Sequence, residues 1–473
     1  MRAASLLVVA AACTSAPPYQ CQDNSQCIDD NGASGICEQD NFCSFHDTTC
    51  SASTQRYASG AGNGKASQCV EASADACITQ IAVGIQFSCY LRMDGTVWCW
   101  GNNADGEVGA GVDPAYVAVP TKVSGLSNVV EVSTAEEHAC ALEHDGSVWC
   151  WGINDTLNLG QCNGGSIANS KTPVKVPTWT ANGTMPTMPT CNAGTAFLAA
   201  LPSATAVSTL SAGGEHTCAV SAADSKLYCW GEDSTSPGDG GQSGQDPDVF
   251  TDNVPGPLVI SGAATLGAVT DLQSGDEYTC ASNGKDVYCF GQNDIGELAT
   301  GNTTGSFMPT KIGGFGDVGQ LAVDDETGCI LTKNGNTVYC WGNGSTGIFG
   351  PVGNDSNNSL TAVNLGLTAS NLFGGSTTET LCMSSQDGSL KCWGDNTYGQ
   401  IGNGDLTNVD VSTPTTALLS SVTQMRIGDH HACALTQDGS LWCWGDNSVG
   451  ELGGNMTSSM PVAVPTRVAV TCQ

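Results

Sequence analysis

The chain has 473 residues with 60 Gly, 25 Cys, 6 His and only 13% charged residues, and its formal net charge is −32. So acidic a surface repels phosphate backbones and anionic headgroups, which excludes nucleic acid as a partner and leaves a membrane role only to an anchor. Many cysteines with few histidines and almost no Cys-x2-Cys spacing exclude structural zinc, and point to cystines formed in an oxidising compartment.

Met1 to Ala12, MRAASLLVVAAA, holds one Arg followed by an apolar run too short to span a bilayer. Residues 1–12 read as an export signal. The small residues Ala10, Ala11 and Ala12 before Cys13 resemble a bacterial lipoprotein cleavage box, although Ala10 stands where Leu is usual. Lipidation of Cys13 is expected, which would make the chain an exported protein of the outer membrane or cell surface, or else a secreted one. Residues 13–76 read as a cysteine-rich module and spacer. Cys21, Cys27, Cys37, Cys43, Cys50 and Cys69 lie in polar sequence that buries no core, so disulfides of unreadable connectivity must hold it. Ser51 to Ser67 reads as flexible.

From residue 77 to 473 one sentence is written seven times: a strand, a tight turn, a strand ending in Trp-Gly, then a Gly/Asn-rich loop. HACALEHDGSVWCWG ends at Gly152 and HACALTQDGSLWCWG at Gly445. The Trp, or Phe290, recurs after 51, 79, 60, 51, 52 and 51 residues, a period that means a propeller or solenoid. Each copy predicts a hairpin with two opposed cysteines. The turn His144-Asp145-Gly146 suits a type I turn with a left-handed glycine and sets Cys140 opposite Cys150. Asn334-Gly335 does the same for Cys329 and Cys340, Gly284-Lys285 for Cys280 and Cys289, and a loop from Ala222 to Ser225 for Cys218 and Cys229. Disulfides are expected there and at Cys89–Cys99, Cys382–Cys392 and Cys433–Cys443.

A Pro/β-branched strand follows each loop, as in PVKV at 173–176, and an apolar strand precedes each hairpin, as in ITQIAVG at 78–84. Four short strands per period make a propeller blade. The residues after Trp444 and those from 73 to 100 together amount to about one period, so the C-terminal strand is expected to complete the first blade and close the ring. Cys77 and Cys472 then come together as a lock. Two loops exceed the norm, Gln161 to Ser208 and Glu232 to Pro257. Cys162 and Cys191 are expected to staple the first, and Trp179 within it is a candidate partner contact.

The His-Ala-Leu strands at His138 to Leu142 and His431 to Leu435, the Asp-Gly turn, the Trp-Gly pair and the G-x-N-x-x-G-x-[LIV]-G loop resemble the RCC1-like repeat family, named for the regulator of chromosome condensation. The resemblance covers residues 77–473 and implies an all-β, seven-bladed propeller behind a small disulfide-rich N-terminal segment. Departures are Phe290 in place of Trp, Gly328 and Leu381 where histidine stands elsewhere, and a remodelled loop after Trp230. One bacterial relative with this fold inhibits β-lactamases, and the eukaryotic namesake exchanges nucleotide on a small GTPase.

No catalytic constellation is visible. His138, His216 and His431 share one repeat position and are expected to pack and hydrogen-bond, while His144 and His430 are expected to face solvent. There is no Gly-x-Ser-x-Gly elbow, phosphate loop or His-x3-His pair. The Asp-Gly pairs at 94–95, 145–146, 387–388 and 438–439 serve hairpin turns rather than calcium, and the acidic stretch from Asp233 to Asp252 reads as solvated loop. No enzyme activity, metal or cofactor is expected. The expected function is a monomeric, envelope-anchored scaffold that binds an unknown protein or glycan through its loop faces. An inhibitor of the β-lactamase-inhibitor type is the alternative, and nucleotide exchange ranks last.

Overall fold

The computed structural model describes residues 77–160, 168–176, 207–221, 225–233, 241–245, 254–260, 262–263, 266–352, 358–375 and 379–470, with short strands at Ile36–Cys37, Cys43–His46 and Gln55–Tyr57. Seven four-stranded antiparallel sheets follow one another along the chain, each a simple meander. The first blade is Ile78–Val83, Phe87–Arg92, Val97–Asn102 and Tyr116–Lys122. The seventh is Val422–Ile427, His431–Thr436, Leu441–Asn447 and Ser458–Arg467.

The blade boundary therefore differs from the sequence expectation. The last strand, Ser458–Arg467, pairs with Leu441–Asn447 of its own blade and does not complete the first. The apolar strand ahead of each hairpin belongs to that hairpin's sheet, so the first blade starts with its own Ile78–Val83. The ring closes by side chains instead. Ser88 Oγ lies 2.7 Å from His431 Nε2, Gln424 Nε2 donates to the Thr79 carbonyl at 2.8 Å, and Trp100 Nε1 donates to the Glu451 carbonyl at 2.6 Å.

Repeat chemistry builds every blade interface alike. The Trp of each Trp-Gly pair is fully buried against the preceding blade, and its indole N–H donates to a backbone carbonyl there, as Trp151 to Glu107 and Trp444 to Gln400. Phe290 fills the same slot without a donor. The glycine after it is obligatory. Gly445 has φ of 109°, and a Cβ on it would sit 2.4 Å from the His430 carbonyl oxygen. The first strand of each blade lines the central channel, and its free edge is bonded by the neighbouring blade. Gln80 accepts from Val132 N–H and donates to the Val132 carbonyl, Asp271 accepts from Leu321 N–H, and Gln320 accepts from Leu372 N–H. Side chains thus satisfy an edge that would otherwise be exposed.

The hairpin cysteines face each other in register, as Cys140 and Cys150 do, and are joined. Bonds link Cys89–Cys99, Cys140–Cys150, Cys218–Cys229 and Cys280–Cys289. The same holds for Cys329–Cys340, Cys382–Cys392 and Cys433–Cys443. Cys77 is disulfide-bonded. Its expected partner Cys472, together with Cys13, Cys162, Cys191 and Trp179, lies outside the described residues.

Candidate acidic site at the channel mouth

The two faces of the ring differ in charge. Register puts the start of each second strand beside the end of the third, as Phe87 beside Gly101, so the loops between strands one and two and between strands three and four share a face. The first set carries Glu136-Glu137, Glu215, Asp276-Glu277, Asp324-Asp325-Glu326, Glu379 and Asp429 around the channel mouth. Three cations, Lys122, Lys175 and Arg467, pair with third-strand residues near the hairpin turns of the opposite face, whereas Lys171 pairs with Asp113 on the acidic face and Arg426 lies inside the channel. Lys175 stands 5.5 Å over the Trp149 ring.

Burial and mutual repulsion raise the pKa values of Glu136, Glu137, Asp276, Asp324, Asp325, Glu326 and Glu379. Glu136 is pushed up to about 8, by burial first and then by the charges of Asp276 and Asp325. Asp276 is raised as well, by burial first. Asp325 also rises to about 8, through burial, then Asp276, Glu326 and Glu379. Asp324, buried beneath them, is raised well above the carboxylate range by burial and then by Glu379. Asn343 crosses this surface, donating to Glu326 at 2.7 Å and to Glu379. The carboxylates are a spread ring rather than a chelate: among the described residues no group of three or more His, Cys, Asp or Glu is placed to hold a metal ion.

His430 belongs to this face and is half-buried rather than solvent-facing, because Tyr398 covers its ring at 3.9 Å between centroids. Burial lowers its pKa, but the Asp429 carboxylate at 3.0 Å and the charges of Asp446 and Asp395 outweigh burial and raise it. His144 is exposed. The histidines at the shared repeat position, His138, His216 and His431, are structural. His138 Nε2 meets Thr217 Oγ1 at 2.9 Å and His216 Nε2 meets Thr279 Oγ1 at 2.7 Å, each across a blade interface. Burial drives their pKa values down, to about 3 for His138 and about 4 for His216 and His431. Register also corrects the departures read from sequence: Thr327 and Thr380, not Gly328 and Leu381, occupy the histidine position. Gly328 sits one residue on, where a Cβ would lie 2.3 Å from the Trp341 ring.

The Asp-Gly carboxylates are used up at their own turns. Asp94 accepts from the Thr96 N–H and hydroxyl, Asp387 from those of Ser389, and Asp438 from those of Ser440. The sequence reading missed the acidic ring. Its signal was the run AEEH, GGEH, GDEY, DDET and TTET ahead of successive hairpins, which is visible only once the copies are aligned.

Family models described as regulator of chromosome condensation (RCC1) repeat match residues 78–107 and 422–451, and 94–142 and 387–435. Over 262 residues the chain is 30% identical to the ultraviolet-B receptor UVR8 of Arabidopsis thaliana, covering 53% of this chain and 56% of that one. It is 24% identical over 381 residues to the human E3 ubiquitin-protein ligase HERC2, covering 77% of this chain but only 7% of the ligase. Among solved structures, human WBSCR16 superposes with a TM-score of 0.62 at 20% identity, covering 79% of this chain and 95% of that one. Yeast RCC1 (Prp20), solved bound to Kap60, gives 0.62 at 20% identity, covering 82% and 84%. At that identity the likeness speaks for the fold. The chain carries regulator of chromosome condensation repeats and folds them into a seven-bladed β-propeller.

Proposed function

We propose that this propeller is a non-enzymatic binding scaffold whose acidic channel mouth docks a lysine- or arginine-rich segment of a protein partner. The observation that carries this is the carboxylate ring of Glu136, Asp276, Asp325, Glu326 and Glu379, half-buried and mutually repelling, on the face opposite Lys122, Lys175 and Arg467. A basic partner relieves that repulsion, and electrostatic complementarity of this kind speeds encounter and sets specificity. Two similar proteins are consistent with the general reading: yeast RCC1 is solved bound to Kap60, and UVR8 is named a receptor.

The compartment belongs to the same proposal. The stretch Met1 to Ala12, Cys13 and a set of disulfides that a reducing cytosol would not sustain support an exported, envelope-anchored protein. The mass of the mature N-terminal peptide tests this. A diacylglyceryl adduct on Cys13 agrees with it, and an unmodified peptide containing residues 1–12 contradicts it.

Titration of the full chain with a lysine-rich peptide tests the docking reading. Glu136→Gln with Asp325→Asn should weaken binding about tenfold or more, since removal of facing charges costs on the order of 1–3 kcal/mol. Equal affinity for both proteins would refute the reading.

A further inference from the structure

The central channel holds a second, independent feature: a polar cavity of about 240 Å³ on the ring axis. Two layers of first-strand side chains build it. In the layer nearer the acidic mouth, most blades offer small residues, Ala82, Ser133, Ser211 and Ala322, which hollow out the axis. The other three blades place Gln273, Phe373 and Arg426 there, and the Arg426 guanidinium reaches toward Glu131 and Asp271 of the second and fourth blades. Those two carboxylates lie in the next layer, two residues back along their strands, or about 6–7 Å along the axis.

Hydrogen-bond bookkeeping shows what this cavity lacks. Arg426 donates through Nη1 to the Met425 carbonyl, and among the described residues no carboxylate forms an ion pair with it. Most of its N–H donors are therefore unspent. Ser133 Oγ accepts from Ala212 N–H at 3.0 Å and Ser211 Oγ accepts from Ser274 N–H at 2.9 Å, so both hydroxyl protons are left to donate into the channel. The next layer is the reverse. Glu131 accepts from Thr209 and Leu210 through a single oxygen, Oε1, and Asp271 accepts from Leu321 through Oδ2 and weakly from Gln273, leaving acceptor capacity facing the axis. Donors thus stand on one side and acceptors on the other, and partner groups with unmet hydrogen bonds are costly in so enclosed a place.

We infer that the channel is a binding site for a small zwitterionic amino-carboxylate, its carboxylate on Arg426, Ser133 and Ser211 and its ammonium on Glu131 and Asp271. A simple anion would meet Arg426 but face two carboxylates. A simple cation would satisfy the carboxylates but stand opposite the guanidinium. A zwitterion adds no net charge and pairs with both, and planar guanidinium recognition suits a carboxylate. The layer spacing favours an ammonium set more than one carbon from the carboxylate, as in β-alanine or 4-aminobutyrate rather than glycine. The site does not depend on the acidic mouth serving as a docking face, since none of its polar groups belongs to that ring.

Calorimetric titration of the full chain with glycine, β-alanine and 4-aminobutyrate, and separately with acetate and methylammonium, tests this. At least one amino-carboxylate should bind in the millimolar range or better, with acetate and methylammonium about tenfold weaker or more. Arg426→Gln should remove that difference. Ala82→Leu, which fills the cavity and removes no polar group, should abolish binding while the fold persists by circular dichroism. The inference is overturned if no amino-carboxylate binds at about 10 mM. It is overturned equally if acetate binds as well as the best of them, or if Ala82→Leu in a folded protein leaves the affinity unchanged.

Discussion

At the blade interfaces one buried imidazole needs one hydroxyl, and the sequence obeys this blade by blade. His138 faces Thr217, His216 faces Thr279 and His431 faces Ser88. Phe87, in the same place on the first blade, is followed around the ring by Ala139 in the position of those hydroxyls. Thr217→Val should therefore strand the His138 Nε2 and cost about 1–3 kcal/mol. His138→Phe combined with Thr217→Ala copies the Phe87 arrangement and should recover much of that loss. Urea unfolding of the three proteins measures it, and a double variant no more stable than Thr217→Val would contradict the pairing. That the histidines are structural was legible from their shared repeat position. Their partners were not, because each lies 63 or more residues away and belongs to another blade. The acidic ring was hidden for a similar reason: each Glu or Asp looks like an ordinary turn residue until closure gathers the turns at one mouth.

Within each blade the hairpin could be read almost completely. The Asp-Gly turn fixes the register, register opposes the cysteines, and Gly146 takes a φ of 84°, as a left-handed turn glycine must. A single hairpin bond closes a loop of about ten residues, worth about 2–3 kcal/mol in the chain-entropy picture. Cys140→Ala with Cys150→Ala should lower the melting temperature by several degrees without loss of the sheet signal, and an unchanged melting temperature would contradict it. What the pattern did not reveal is where one blade ends and the next begins. A tandem repeat has no intrinsic phase, so the strand Ser458–Arg467 reads equally well as the end of its own blade or the completion of the first. Strand pairing decides for its own blade, and side-chain bonds rather than a shared sheet close the ring.

Over the whole molecule, stability must depend on pH through the buried carboxyls. Glu136 and Asp325 titrate near 8 in the folded chain and Glu107, Glu131 and Glu451 near 7, all raised chiefly by burial. Unfolded, such groups titrate near 4 to 4.5. The folded state therefore holds more protons across this interval, and stability falls as pH rises from about 4.5 through 8. The buried histidines have lowered folded values and act oppositely, removing stability as pH drops below about 6.5. Melting temperature should thus rise as pH is lowered from about 8 to 6.5, where the carboxyls gain protons and His430, its pKa raised, acts in the same direction, and the gain should slacken below that. A melting temperature highest at pH 8 would contradict the electrostatic account. A bound basic partner should substitute for those protons, which makes the channel mouth the decisive surface. Amidation of carboxyls by carbodiimide with glycine ethyl ester as the amine, read by peptide mass spectrometry with and without an N-acetylated arginine-rich peptide, compares the two faces in one experiment. Bound peptide should protect Glu136, Asp325 and Glu379 while leaving Asp94, Asp145 and Asp387 at the opposite hairpin turns as reactive as before. Protection of the hairpin-turn aspartates, or of neither group at saturating peptide, would contradict the assignment of the acidic mouth as the docking face.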